Sequence, residues 1–140
     1  MWLSLPGVGA AAQTAALPVS VSVVESVLMR TSHQDAQLTV SAHDIQRGYL
    51  DVPAASQLEF VTNARACELV FYPVTGLFKS VEISSTYGTA SLGNEGGSMV
   101  IQSHGQRRLN VSLNYRFVLS EQAESGVYTW PLVMSARTLR

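Results

Sequence analysis

Residues 109–119, LNVSLNYRFVL, decide the fold class of this chain, because an apolar side chain occupies every second position along their whole length. The apolar positions are Leu109, Val111, Leu113, Tyr115, Phe117 and Leu119. A period of two places these side chains on one face of an extended strand. In a helix the polar residues would instead be spread around the whole cylinder. The stretch therefore predicts a β-strand with one face in the core and the other in water.

The segment that follows extends the same pattern. After the turn-prone residues 121–126, EQAESG, comes VYTWPLVMSAR at residues 127–137, which is rich in β-branched and aromatic residues. This composition predicts the partner strand of a hairpin with residues 109–119. Because Pro131 cannot donate to a ladder, we expect that partner strand at a sheet edge, or bulged at the proline.

The aromatic residues of this last segment have two interpretations. Tyr128 and Trp130 share one face with Leu132 and Met134. A sugar-binding platform would require exposed rings, whereas alternation with apolar residues places the rings against the core. Since an aromatic side chain gains much from burial, we expect a core position.

Shorter alternating segments precede the long strand, at residues 17–29, 37–45, 57–62, 68–72, 79–85 and 98–103. Turn signals separate them, including Val52-Pro53 and the glycine-rich SLGNEGGS of residues 91–98. We find no convincing helical stretch. The pattern predicts an all-β fold, an immunoglobulin-like antiparallel β-sandwich of about seven to nine strands.

Length and composition narrow the possible functions. A chain of 140 residues suits one domain with one core. Its net charge of -1 provides no field to attract nucleic acid and no polybasic patch for a membrane surface. No stretch approaches the roughly 18 apolar residues of a transmembrane helix. We therefore expect neither a nucleic-acid partner nor a membrane span.

The N-terminal residues 1–16 have two interpretations. They are apolar and rich in small residues, and Ala10, Ala11 and Ala12 resemble the cleavage region of a signal peptide, although a basic n-region is missing. They are either the remnant of a signal peptide, which implies a secreted protein, or a disordered alanine-rich arm. Residues 17–140 are predicted to form a single β-sandwich domain.

No catalytic, cofactor or metal site is predicted from the residue types. Cys67 is the only cysteine, which excludes an intramolecular disulfide, and its apolar neighbours predict burial. The three histidines, with Asp35 and Asp44 nearby, match no ligand spacing, so we expect solvated loop residues at His33 and Asp35. These histidines are His33, His43 and His104.

Three further patterns give no support to an enzyme. No serine lies in a Gly-x-Ser-x-Gly motif. Residues 91–98 lack the ending and the following helix of a phosphate loop, so we expect a hairpin turn there. Glu121 and Glu124 lie in a predicted loop, and the pattern pairs them with no second carboxylate. We therefore predict that the protein is not an enzyme.

The order of these segments is similar to that of a known group of proteins. The first segment in this order is LTVSAHDIQRGYLDVPAASQLEFVTNARACELVF at residues 38–71, and the long strand 109–119 and a short loop follow it. The last segment is SGVYTWPLVMSA at residues 125–136, where Gly126 and Tyr128 form a Gly-x-Tyr motif. This arrangement resembles the secreted spore-coat-protein-U-like domains and the archaic chaperone–usher pilins, over Val19 to Ala136. The chain departs from the group in lacking a cysteine pair and in having Trp130-Pro131 within the last strand.

The resemblance implies a secreted, periplasmic or cell-surface bacterial protein that serves as a structural subunit of a fimbria- or pilus-like assembly. Its partners would be other copies of itself or related subunits, with a periplasmic chaperone and an usher. In such assemblies an N-terminal segment of one subunit completes the sandwich of the next. The segment LPVSVSVV, Leu17 to Val24, has the required alternation, and Val19, Val21 and Val23 are the candidate donor-strand anchors.

A second interpretation stays open at this point. Leu17 to Val24 equally suits an ordinary first strand of its own domain, because a strand pattern does not reveal which molecule it pairs with. The protein would then be a self-complete secreted β-sandwich that binds a ligand such as a carbohydrate, in the manner of an adhesin.

Overall fold

The computed structural model describes residues 24–139, which form ten strands and one short helix. In chain order these elements are β1 (Val27–Gln34), β2 (Gln37–Val40), α1 (Ala42–Arg47), β3 (Tyr49–Thr62), β4 (Ala66–Pro73), β5 (Phe78–Ser85), β6 (Gly88–Gly93), β7 (Gly97–Gln102), β8 (Arg108–Leu119), β9 (Gly126–Thr129) and β10 (Leu132–Thr138). The predicted all-β fold is confirmed, with one strand more than the sequence suggested. Within the described residues, no helix has the length and hydrophobicity needed to cross a membrane.

The strands form three antiparallel sheets. The largest has five strands in the order β1-β3-β8-β5-β6, the second has the order β10-β4-β7, and β2 and β9 form a third, two-stranded sheet. Buried apolar side chains from all three sheets form one core. Since one face of each large sheet is apolar and the other polar, the molecule is a β-sandwich.

Strand β8 lies at the centre of the five-stranded sheet and confirms the alternation read from its sequence. The six apolar residues of the alternating pattern are buried, the polar residues between them face solvent, and Val118 is half-buried. Phe117 packs against Phe78, with ring centroids 5.2 Å apart, and edge-on against Trp130 at 5.6 Å. Aromatic burial of this kind makes β8 a main source of the core's stability.

The predicted hairpin between β8 and residues 127–137 is wrong. Both edges of β8 are occupied by β3 and β5, and the final segment is divided at Trp130-Pro131 into β9 and β10. β9 pairs with β2, and β10 pairs with β4. The division has a clear cause, because Pro131 has no N–H to donate at the point where the chain changes sheets.

Two other expectations for this segment are confirmed. β10 lies at an edge of its sheet, as Pro131 suggested. Trp130 and Leu132 are buried, while Tyr128 and Met134 are half-buried and pack against the core. These aromatic rings therefore do not form an exposed platform.

The strand predicted over residues 37–45 is wrong beyond Val40, where the chain forms helix α1. Ser41 caps this helix, since its hydroxyl accepts from the Asp44 N–H and the Asp44 carboxylate accepts from the Ser41 N–H. Gly48 ends the helix in the left-handed region, with φ of 88°. These reciprocal hydrogen bonds outweigh the weak alternation of Leu38 and Val40.

The turn predicted at Val52-Pro53 is instead a bulge inside the long strand β3. The register with β8 shifts between Val52 and Ser56, and Ala54 has a φ of 53°. Strand β6 was not predicted at all. The turn predicted within residues 91–98 is confirmed, because Gly93 and Gly96 face each other across Asn94 and Glu95.

Candidate functional site

Two edge strands lie next to each other on one side of the sandwich. β1 ends the five-stranded sheet and β10 ends the three-stranded sheet, and neither has a hydrogen-bonded neighbour on its outer side among the described strands. They approach each other without forming a ladder. In an antiparallel strand about half of the backbone N–H and C=O groups point away from the partner, so both edges present free hydrogen-bonding groups. We call the space between β1 and β10 the seam.

The register of the two strands with their partners gives the direction of the seam. Val27, at the start of β1, pairs with Thr62 at the end of β3. Thr138, at the end of β10, pairs with Cys67 near the start of β4. Because a short turn joins β3 to β4, both positions lie at the same end of the sandwich. β1 and β10 therefore run in opposite directions along the seam.

The core is incompletely covered at the seam. Val27 and Met29 of β1, with Met134 and Ala136 of β10, pack against the core but are only half-buried. Four apolar side chains at this margin of the core therefore remain partly in contact with water.

The opposite side of the sandwich, between β6 and β7, is closed. Leu92, Met99 and Ile101 are buried there. Gly88 allows the two strands to approach closely, since a Cβ at this position would clash with the carbonyl oxygen of Val100. β6 and β7 therefore pack more closely against each other than β1 and β10 do.

A row of polar groups crosses the core between the two edge strands. The Ser56 hydroxyl donates to Gln34 Oε1 at 2.6 Å, and the Tyr115 hydroxyl lies 2.7 Å from Ser56 Oγ. The single hydroxyl proton of Ser56 is used in the hydrogen bond to Gln34. The Tyr115 hydroxyl is therefore the donor in its hydrogen bond with Ser56. The Tyr115 oxygen also lies 3.8 Å from Met134 Sδ. Burial raises the pKa of Tyr115 well above the usual tyrosine range, although the hydrogen bond with Ser56 acts to lower it.

The chain enters β1 through a segment held by Asn63. The Asn63 side chain accepts from the Ser26 N–H at 2.8 Å and donates to the Val24 carbonyl at 3.1 Å. The Thr62 hydroxyl donates to the Ser26 carbonyl at 2.8 Å. Residues 24–26 are thus attached to the end of the sandwich where β1 begins and β10 ends.

The predicted anchors Val19, Val21 and Val23 lie outside the described residues. Of the segment Leu17 to Val24, only Val24 is described, and it is 79% exposed. The sequence predicts a strand over residues 17–29. In the described part of the chain, β1 runs from Val27 to Gln34, so the predicted end at Met29 is wrong. Nothing in residues 17–29 marks that end, since the alternation weakens without a turn signal.

The residues considered for other chemistry do not form a common site among the described residues. Cys67 is fully buried, as predicted, and burial raises the pKa of its thiol. His33 was expected in a loop but lies in β1, where its Nε2 is 2.8 Å from Asp35 Oδ1. His43 lies in α1. Among residues 24–139, no three potential metal-ligating side chains come together.

Glu121 and Glu124 lie in the loop between β8 and β9, as predicted. Sequence reasoning did not identify the acceptor side of the seam, because β10 was assigned to the wrong partner strand. In comparisons with known proteins, no family model, no curated protein and no solved structure matches this chain.

Proposed function

We propose that this chain is a structural subunit of a secreted, fimbria- or pilus-like assembly, in which residues Leu17 to Val24 of one copy fill the seam of the next. The observation that carries the proposal is the pair of open strand edges above half-buried apolar side chains. An added strand would satisfy free backbone groups of β1 or β10 and would cover Val27, Met29, Met134 and Ala136.

The donor segment matches the seam in length and in pattern. Eight residues in extended conformation span about 26 Å, which is also the length of the eight-residue strand β1. The valines Val19, Val21 and Val23 would face the apolar floor of the seam, while Ser20 and Ser22 would face solvent. This is the alternation that strand addition requires.

The geometry at residues 24–26 favours donation to a neighbour over insertion into the same molecule. To lie antiparallel to β1 in its own seam, the chain would have to reverse direction between Val24 and Val27. Tight two-residue hairpin turns need positive φ angles and therefore favour glycine, asparagine or aspartate. Val24, Glu25 and Ser26 include none of these, and Asn63 already holds the backbone of Val24 and Ser26.

The open strand edges of the seam would need protection before assembly. A subunit with an open seam exposes strand edges that invite uncontrolled pairing, so a dedicated chaperone would protect it before assembly. We propose export from a bacterial cell, with a periplasmic chaperone and an usher as partners and copies of the chain or related subunits as neighbours.

The test compares two substitutions on opposite faces of the donor segment. Val21→Asp would place a charge against the apolar floor of the seam, whereas Ser22→Asp adds the same charge on the solvent face. We expect multimers of the full-length protein and of Ser22→Asp in size-exclusion chromatography with light scattering, and monomers of Val21→Asp.

Two outcomes would contradict the proposal. One is a full-length protein that stays monomeric at every concentration, and the other is an equal effect of the two substitutions. Circular dichroism of both variants serves as the control, because both should keep the β-rich spectrum of a folded sandwich.

A further inference from the structure

A second feature of the molecule lies away from the seam, on the outer face of the five-stranded sheet. Strands β3, β8, β5 and β6 line a cleft of 770 Å³ there. Its floor carries outward-facing polar side chains, in contrast to the apolar inner face of the same strands. Concave surfaces with a few convergent polar groups are where small ligands bind.

The β3 bulge forms one wall of the cleft. Three residues, Pro53 to Ala55, lie opposite the single residue Asn114, and the Ala54 N–H donates to Asn114 Oδ1 at 2.8 Å. Ala54 has a φ of 53°, which is unusual for a residue with a Cβ. Backbone strain of this kind is often concentrated at functional sites. Here it holds the Pro53 ring beside the polar floor.

An ion pair makes part of the floor rigid. Arg116 donates from Nε to Asp51 Oδ1 at 2.6 Å and from Nη2 to Asp51 Oδ2 at 3.0 Å, which is a two-pronged contact. The guanidinium also lies over the ring of Tyr49, 4.4 Å from its centroid. The hydrogen bonds from Arg116 hold the pKa of Asp51 below its usual range, so the pair stays charged at neutral pH.

Other polar groups of the floor remain free for a ligand. Within residues 24–139, the side chains of Glu82, Ser84, Thr89 and Ser91 have no hydrogen-bond partner, and the Asn114 amide nitrogen has none either. Glu82 and Ser91 pair across β5 and β6, and Ser84 pairs with both Thr89 and Asn114. These groups thus form two adjacent rows of interleaved donors and acceptors.

The charge and dimensions of the floor select the class of ligand. Asp51, Arg116 and Glu82 together carry one net negative charge, which repels phosphates, sulfates and carboxylates. The rows extend across four strands, or about 14 Å, and lie about 7 Å apart along the strands. Such a grid of hydroxyl, amide and carboxylate groups matches the neighbouring hydroxyls of sugar rings, while Pro53 offers an apolar wall for their C–H faces.

We propose that this cleft binds a neutral saccharide of one or two rings. The site is separate from the seam, so an assembled subunit would keep it exposed on its outer sheet. A subunit with this site would attach the assembly to glycans as well as build it.

The experiment uses the full-length protein on an array of neutral oligosaccharides, with sialylated and sulfated glycans as the anionic arm. Ser84→Leu fills the cleft, and its matched control, Ser112→Leu, makes the same change on the exposed face of β8 outside the cleft. Glu82→Ala, which removes an acceptor without adding bulk, is the second cleft variant.

We expect the unmodified protein and Ser112→Leu to bind a neutral saccharide, and Ser84→Leu and Glu82→Ala to bind it about tenfold more weakly or not at all. Absence of binding to every neutral saccharide, equal binding by all variants, or a preference for anionic glycans would each overturn the proposal. Since the array does not report the oligomeric state, its failure leaves the multimer measurement on Val21→Asp and Ser22→Asp unaffected.

Discussion

Substitution of Ser56 by alanine tests the buried polar row beside the seam. Ser56 is fully buried, and among residues 24–139 it is the only oxygen acceptor for the Tyr115 proton, beside the weaker sulfur of Met134. Ser56→Ala leaves the Tyr115 hydroxyl without an oxygen partner, at a cost of about 2 kcal/mol. Gln34 adds little to this cost, because it is only partly buried and regains a hydrogen bond from water. For a domain of this size, the loss corresponds to a fall in Tm of roughly 8 °C.

The assay is urea unfolding followed by near-ultraviolet circular dichroism. Trp130 packs edge-on against Tyr115 with ring centroids 5.0 Å apart, so its signal reports the same region. The double variant Ser56→Ala/Tyr115→Phe is the control, because without the tyrosine hydroxyl there is no unsatisfied group to penalise. We expect a coupling of about 1 kcal/mol between the two substitutions. A loss below about 0.5 kcal/mol, or strictly additive effects, would refute the assigned direction of these hydrogen bonds.

Two further predictions concern pH and the closed side of the sandwich. Since burial raises the pKa of Tyr115, the folded protein keeps a proton that the unfolded chain releases above about pH 10, so stability should fall as pH rises beyond that value. Tyr115→Phe should reduce this fall in alkaline urea titrations, and an unchanged slope would show that other groups cause it. Gly88→Val should destabilise the protein by about 2 kcal/mol by forcing β6 away from the Val100 carbonyl. Gly93→Val, where the added Cβ meets nothing within 4 Å, is the matched control, and an equal loss at both positions would contradict the close approach.

Local alternation was sufficient to predict the central part of the fold. The six apolar residues of β8 were assigned to the core from their spacing, and all are buried. Pro131 located an edge strand because the missing N–H is a property of the residue itself. Burial of Cys67 followed in the same way from its apolar neighbours.

The pairing of strands could not be read from the same pattern. A strand's alternation states which face is buried but not which strand lies beside it, so residues 127–137 were paired with β8 and not with β2 and β4. The seam depends on that pairing. The alternation indicates that Met134 faces the core, but it does not indicate that Met134 and Ala136 lie beside β1.

Two local features were missed although part of their signal is present. Ser41, followed three residues later by Asp44, and Gly48 mark the start and end of helix α1, which is too short for a visible hydrophobic period. The Val52-Pro53 signal predicts a turn, whereas the strand continues through a bulge. The cleft depends on this bulge and on the cross-strand register, which no single segment reveals.

Strand donation between copies is the central claim, and cross-linking tests it most directly. One preparation carries Val21→Cys and a differently tagged preparation carries Ala136→Cys, while the native Cys67 is buried and protected. After mixing and treatment with a short bis-maleimide, the products are separated on a denaturing gel. We expect a covalent species containing both tags, and much less of it when Ser135→Cys, on the solvent face of β10, replaces Ala136→Cys. Absence of that species, together with cross-linking within a single chain that carries both Val21→Cys and Ala136→Cys, would contradict it.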